Sequence, residues 1–339
     1  MNNRALLSIC IPSYNRPEEL RRLLDSIDAT DTEKIEIVIR EDYSPKRDEV
    51  RESVRSFTET SKYEVRYIEN EKNFGYDKNI RSAAETARGK WVMFMGDDDI
   101  FIKGSLDRYI AFLENHEDVG YVLRRYRKRY SDGREEEYRY SDQNEFFEPG
   151  EQAIVELFRR SLFISGVTYR KACFDDYGCG ALDGTLLFQV YIQACVCQSF
   201  PSAYCDIPIT ECIEGGIPYF GSSDAEKNLY QSGSNTFSNS INFLKQVRVV
   251  TEYFDVKYDA NITPGVMKSY SKYSYGYLHE HRDDGRKVFR EYAKEIKKLG
   301  LGDSLYFYIY YFGLYVFGKK ACQHMIMFLK KMYGKTPRL

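Results

Sequence analysis

The sequence predicts an α/β fold, with a mostly parallel central sheet flanked by helices and a helical C-terminal extension. Three observations carry this. Short apolar runs alternate with amphipathic segments through residues 6–123, the pattern of strands and helices laid in turn into a parallel sheet. Three consecutive acids, Asp97-Asp98-Asp99, follow directly on one of those apolar runs. The last hundred residues read as helical and are rich in aromatic rings, drawing on a chain total of 30 Tyr.

Residues 6–11 are a short apolar strand. A helix over 17–27 follows, opened by Pro17, with Leu20, Leu23, Leu24 and Ile27 on one face. Residues 35–39 are a second strand, 45–57 a charged amphipathic helix and 64–68 a third strand. A helix over 76–87 stops before Gly89, and 91–95 is the fourth strand. A helix over 104–113 leads to a strand over 119–123. The stretch 124–140, dense in Arg, Lys, Glu and Tyr with an Asp132-Gly133 turn, predicts an exposed hairpin. Residues 158–168 return to the core, 185–196 form a helix, and 199–207 an edge strand or extended segment. Gly, Ser and Asn between 215 and 239 predict a loop around a short helix.

Composition narrows the function. The chain has 339 residues, 43% of them apolar, with 49 Lys and Arg against 51 Asp and Glu, a globular balance. A net charge of −2 gives no support to a nucleic-acid partner. No run reaches the roughly 20 apolar residues that span a bilayer. The N-terminus lacks a secretory pattern, which predicts a cytoplasmic, reducing compartment and free thiols for the eight Cys. The single spacer of Cys195-Val-Cys197 is not the usual zinc or redox spacing. GxGxxG, GxxxxGK[ST] and GxSxG are all absent, and four scattered His make no zinc pattern.

In parallel sheets covered by helices, ligands bind beyond the carboxyl ends of the strands. That rule selects 12–16, 40–44, 70–79 and 96–100. The Asp97–Asp99 run either caps the next helix or holds a hard divalent cation, which three adjacent carboxylates need as a neutralising partner. Glu41-Asp42 either make a turn into Ser44-Pro45 or accept hydrogen bonds from a base or ribose. In Pro12-Ser13-Tyr14-Asn15-Arg16, Tyr14 is placed to stack on a nucleobase and Pro12 to fix the backbone beside it. In Asn73-Phe-Gly-Tyr-Asp-Lys-Asn79, Gly75 permits close approach, and Asp77, Lys78 and Asn79 open a helix. Arg81 lies on the face of Asp77, to reach a phosphate or to pair with that acid.

Together the segments LSICIPSYNRPEELRRLLDSI (7–27), IVIREDYSP (37–45), RYIENEKNFGYDKNIRSAAETARGKWVMFMGDDD (66–99) and IFIKGSLDRYIAFL (100–113) resemble family 2 glycosyltransferases of the GT-A fold. Residues 146–210 resemble more loosely the acceptor half of bacterial members of the abequosyltransferase-like type, which build O-antigen and capsule. The resemblance implies a nucleotide-sugar-binding half over 1–123, an acceptor half over 124–239, and a helical, aromatic and basic region over 240–339. It assigns Pro12, Tyr14, Arg16, Glu41, Asp42, Asn73, Gly75, Asp77, Lys78, Asn79, Arg81, Asp97 and Asp98 to the nucleotide sugar. Asp99, with Asp97, would hold Mn²⁺ or Mg²⁺. The family's base is an acid at the start of a helix in the acceptor half. Here that is Asp183, with Asp175 and Asp176 as rivals, unless Asp183 only caps its helix.

The implied reaction is inverting transfer from a nucleoside diphosphate sugar to a hydroxyl of a saccharide or lipid-linked saccharide. The alternatives are a nucleotidyltransferase or nucleotide-sugar pyrophosphorylase, whose Gly-rich basic loop IPSYNRP does not supply, and a non-catalytic scaffold. Residues 286–339 hold twelve basic and three acidic side chains. They make either a helical subdomain with solvated lysines or an interfacial face that lies on an anionic membrane, such as the cytoplasmic face of the inner membrane, or receives a lipid-linked substrate. A homo-oligomer is compatible with this sequence.

Overall fold

The computed structural model describes residues 5–174, 180–233 and 235–333. Among the described residues ten strands form one sheet: β1 (Leu7–Ser13), β2 (Ile35–Glu41), β3 (Glu64–Glu69), β4 (Trp91–Phe94), β5 (Ile100–Phe101), β6 (Tyr121–Arg129), β7 (Glu135–Tyr138), β8 (Glu145–Phe147), β9 (Thr168–Arg170) and β10 (Ser202–Ile213). Their order is β3-β2-β1-β4-β9-β6-β10-β5, with β7 beside β6 and β8 beside β10. β3, β2, β1 and β4 run parallel. Antiparallel pairing begins at β9, which lies between β4 and β6.

Alternation along β1 explains its place at the centre. Leu7, Ile9 and Ile11 enter the core under the helix Pro17–Asp25, while Cys10 enters the core on the opposite face. The second core continues without a break into the C-terminal helices: Ile80 and Phe94 share it with Phe254, Tyr270 and Leu314. Those helices are Phe237–Tyr258, Thr263–Lys272, Tyr275–Glu280, Arg286–Ile296 and Leu305–Tyr333, the last kinked at Gly318.

The chain leaves β1 toward β2 and β3 on one side and returns to β4 on the other. The carboxyl ends of β1 and β4 therefore border a topological switch point, where a crevice opens in sheets of this kind.

The structure corrects three expectations. Residues 199–207 are not an edge: β10 pairs with β6 on one side and with β5 and β8 on the other. Asp206 and Pro208 disguise it, and the register shifts at Pro208, which has no N–H to donate. The 124–140 stretch is the β6–β7 hairpin, but its first residue, Arg124, is fully buried, donating from Nε to Ser165 O and from Nη2 to Phe163 O. The loop after β10 runs through consecutive turns at 224–229 instead of a helix. All seven described cysteines are free thiols. No helix among the described residues is long and apolar enough to cross a membrane.

Candidate functional site

A cavity of about 600 Å³ opens at the switch point. Pro12 lines it from the end of β1 and Tyr14 and Arg16 from just beyond, Asp42 after β2, Asn73, Gly75 and Asn79 at the start of the helix Tyr76–Thr86, and Asp97–Asp99 after β4. Each lies at or beyond the carboxyl end of a parallel strand, so the sheet brings four separate sequence segments to one place.

Within the acidic run, Asp97 is held on both oxygens. Arg16 Nη1 donates to its Oδ1 at 2.7 Å and the Tyr14 amide to its Oδ2 at 3.1 Å. Arg16 Nη2 also lies 3.1 Å from Asp98 and donates to Ile217 O at 2.6 Å, tying the acids to the loop after β10. Ser165 Oγ donates to Asp99. Burial and the neighbouring Asp98 charge push Asp99 up to about 7. Burial pushes Asp97 up to about 6, against the pull of Arg16.

Asp42 is the hub of a second network. It accepts from the Phe74 amide at 2.7 Å, the Gly75 amide at 2.9 Å and Asn70 Nδ2 at 2.7 Å. Asn70 Nδ2 also donates to Asn79 Oδ1, whose own amide reaches Arg40 O. Asn73 Oδ1 accepts from the Gly75 amide. Gly75 has φ +80°, and a Cβ there would stand 2.4 Å from Ser223 Oγ, so only glycine fits.

Other candidates are placed elsewhere. Glu41 is fully buried and turned into its own turn, accepting from the Tyr43 and Ser44 amides and from Arg47. Of the Glu41-Asp42 pair, only Asp42 lines the cavity. Asp77 points away from it and accepts the amides of Gly184, Leu186 and Phe188, anchoring the turn that opens the helix Phe188–Ser199. Lys78 lies with Nζ 4.0 Å from the centre of the Phe74 ring. Arg81 pairs with Asp183, and neither lines the cavity. Asp175 and Asp176 lie outside the described residues.

Several lining residues carry no local sequence signal. Ser13 Oγ, Tyr76 Oη and Gln189 Oε1 are buried on the wall without a partner among the described residues. Such atoms cost stability unless something fills the cavity and bonds to them. Tyr219 meets Tyr14 edge-on at 5.8 Å and lies under Arg16. Glu226, in the same loop, accepts the amides of Tyr76 and Gly221. The 215–230 loop thus forms one wall of the site. Phe243, Tyr277 and Glu280 complete the far wall from the C-terminal helices.

The acids fit a cation only with help from a ligand. Among the described residues no group of three metal-binding side chains assembles. Asp99, however, is 4% exposed, and among the described residues no Lys, Arg or His side chain pairs with it. A buried carboxylate in that setting suits a hard cation whose remaining ligands come from phosphate oxygens and water.

Known proteins resemble the chain in sequence and in fold. Residues 8–176, about half of the chain, match the family described as Glycosyl transferase family 2. An uncharacterized glycosyltransferase of Haemophilus influenzae is 30% identical over 117 residues, 34% of this chain and 37% of that protein. Abequosyltransferase RfbV of Salmonella typhimurium is 30% identical over 114 residues, 34% of each chain. The matched region thus spans little more than a third of these curated relatives. In fold, the chain is similar to S. aureus TarS 1-349, with a TM-score of 0.58, 15% identity and coverage of 94% of this chain and 91% of that one. The mannosyltransferase PcManGT of Pyrobaculum calidifontis, solved with GDP-Man and Mn2+, gives a TM-score of 0.53 at 13% identity, covering 98% of this chain and 88% of that one. Through residues 8–176, and on a GT-A-type α/β fold, the chain belongs to glycosyl transferase family 2.

Proposed function

We propose that the protein transfers a sugar, with inversion, from a nucleoside diphosphate sugar to a hydroxyl of a saccharide or lipid-linked saccharide in surface polysaccharide synthesis. The observation that carries this is the meeting of Tyr14, Asp42 and Asp97–Asp99 on one cavity at the switch point of the sheet. Tyr14 offers a ring to the base. Asp42 and Asp97 offer acceptors to base and ribose hydroxyls. Asp99, with Asp97, would hold Mn²⁺ or Mg²⁺, which when bound supplies positive charge to the departing diphosphate. The 215–230 loop would exclude water from the diphosphate.

Asp183 is proposed as the base that removes the acceptor hydroxyl proton, so that the oxygen attacks the anomeric carbon from the side opposite the diphosphate. The bidentate Arg81 holds that carboxylate in a fixed orientation. We place the enzyme in the cytoplasm, working at the inner face of the membrane.

A thermal-shift screen of nucleotides and nucleotide sugars, with and without Mn²⁺, tests the reading. One base and sugar should raise the melting temperature, more so with Mn²⁺, and Asp99→Asn should remove the Mn²⁺-dependent part. If no nucleotide shifts the melt under either condition, the donor assignment is wrong.

A further inference from the structure

We propose that the outer face of the last helix is a lipid-docking surface that lays the protein on an anionic bilayer. The proposal extends the reading of the acceptor as lipid-linked, but neither its evidence nor its test depends on sugar transfer.

The helix Leu305–Tyr333 is apolar on both sides of its first half. Phe307 and Leu314 enter the core, and Tyr310, Tyr311 and Tyr315 lean against it. The opposite side carries Leu305, Ile309, Phe312 and Val316 at helical spacing, with Phe317 beside them. Leu305, Phe312 and Phe317 are 73%, 67% and 67% exposed. From Leu305 to Phe317 no residue is charged. A helix face turned to water normally carries its polar residues there, and a contiguous apolar stripe marks a contact surface.

Charge selects the occupant. Arg286, Lys287, Arg290 and Lys294 on the helix Arg286–Ile296, and Lys297 and Lys298 just after it, are exposed. Lys297 Nζ stands 5.2 Å from the centre of the Tyr308 ring, and the Arg286 guanidinium 5.9 Å from that of Tyr315, so the basic side chains border the apolar helix. Exposed Lys320 follows the kink at Gly318. Only Glu291, Glu295 and Asp303 oppose them in residues 286–339, and Glu295 is paired with Lys298. A second copy docking on the same face would set two basic borders against each other. An anionic bilayer offers both an apolar layer for the stripe and negative charge for its border.

The position suits the proposed acceptor. Tyr310 of this helix meets Tyr275 at 5.6 Å, and the short helix Tyr275–Glu280 also carries the cavity residues Tyr277 and Glu280. One helix therefore separates the apolar stripe from the cavity wall.

Vesicle co-sedimentation of the full chain tests this. Vesicles containing phosphatidylglycerol should bind at least tenfold more tightly than pure phosphatidylcholine, and raised salt should weaken the binding. Phe312→Asp with Val316→Asp should cost tenfold or more while leaving the melting temperature and nucleotide binding unchanged. Lys297→Glu with Lys298→Glu should lower affinity for anionic vesicles alone. As a second readout, Phe312→Trp should show a blue-shifted emission on adding anionic vesicles. Equal binding to both vesicle types, or wild-type binding by the Phe312/Val316 variant, overturns the proposal. So does sedimentation velocity showing a dimer that those two substitutions dissociate, since a second copy would then cover the face.

Discussion

Arg81 grips Asp183 through both carboxylate oxygens across 102 residues of chain, with Nη2 2.9 Å from Oδ2. The Asp183 side chain keeps 23% of its surface open. A carboxylate has about four acceptor positions and a bidentate guanidinium takes two, so two remain for a hydroxyl proton. The pair sits beside the cavity wall: Leu186, three residues on, is part of the lining.

Asp183→Asn separates a base from a structural clamp. An amide cannot take the proton, and general-base loss costs about 10²–10⁴ in rate. We expect kcat to fall by about that much while the KM for the donor stays within a few-fold. A clamp alone would instead lower the melting temperature and change kcat by less than tenfold. Steady-state kinetics beside a thermal melt decides.

Nucleotide binding should depend on pH through Asp42. Burial raises this acid from its ordinary value of 3.8 to about 6, against the pull of its three hydrogen bonds. Above pH 6 it is ionised and accepts from a ligand hydroxyl or amine; below it, that capacity is lost. Nucleotide affinity measured by calorimetry should therefore be full near pH 7.5 and fall as the pH drops through 6. Asp97 and Asp99 titrate nearby, at about 6 and 7, so the comparison is with Asp42→Asn. That variant should bind more weakly at pH 7.5 and show a shallower decline. The same shift gives a sign for stability: the folded chain holds this proton more tightly than the unfolded one. The contribution of Asp42 to stability is thus fully present below about pH 4 and lost as the pH rises through 6.

The parallel half of the fold and the acidic run are legible in the sequence because both are local. An apolar strand followed at once by three acids fixes where they stand, and the alternation of β1 to β4 fixes which strand ends they join. Glu41 and Asp42 show the limit of that logic. They are adjacent, yet one turns into its own turn and the other into the cavity, and only the position of Arg47 and of the amides at 74–75 separates them. Asp77 reads correctly as a helix opener, but its partners lie more than 100 residues away. Gln189 is not legible as a site residue. Its one signal is polarity inside the apolar run 186–197, and nothing local says what it faces.

Asp77 should matter for stability more than for binding. It is 1% exposed and accepts three backbone amides, one of them from Leu186, whose φ of +65° is unfavourable for a side chain of that size. Asp77→Ala leaves those three amides without an acceptor. At about 1–3 kcal/mol for each buried group left unpaired, with partial relief from water, we expect a loss of roughly 2–4 kcal/mol. Urea unfolding should show the midpoint falling with little change in slope. A variant as stable as the parent would mean that the 184–188 turn is held by other contacts.

Gln189 should set substrate selectivity. It is 2% exposed on the cavity wall, its Nε2 donates to Leu162 O at 3.3 Å, and its Oε1 has no partner among the described residues. A buried acceptor left open in a cavity that otherwise collects acids and rings is placed to receive a sugar hydroxyl. Gln189→Leu removes the acceptor while keeping most of the volume. Losing one such hydrogen bond costs about 1–3 kcal/mol, so the KM for the sugar-bearing substrate it serves should rise by roughly 5- to 150-fold. Binding of the nucleoside diphosphate alone, which lacks the sugar, should not change. The variant should also discriminate less between the preferred sugar and its deoxy analogue, because the unpaired oxygen that penalises the analogue is gone. If both the nucleotide and the sugar substrate weaken together, Gln189 acts only by holding Leu162, and the selectivity role fails.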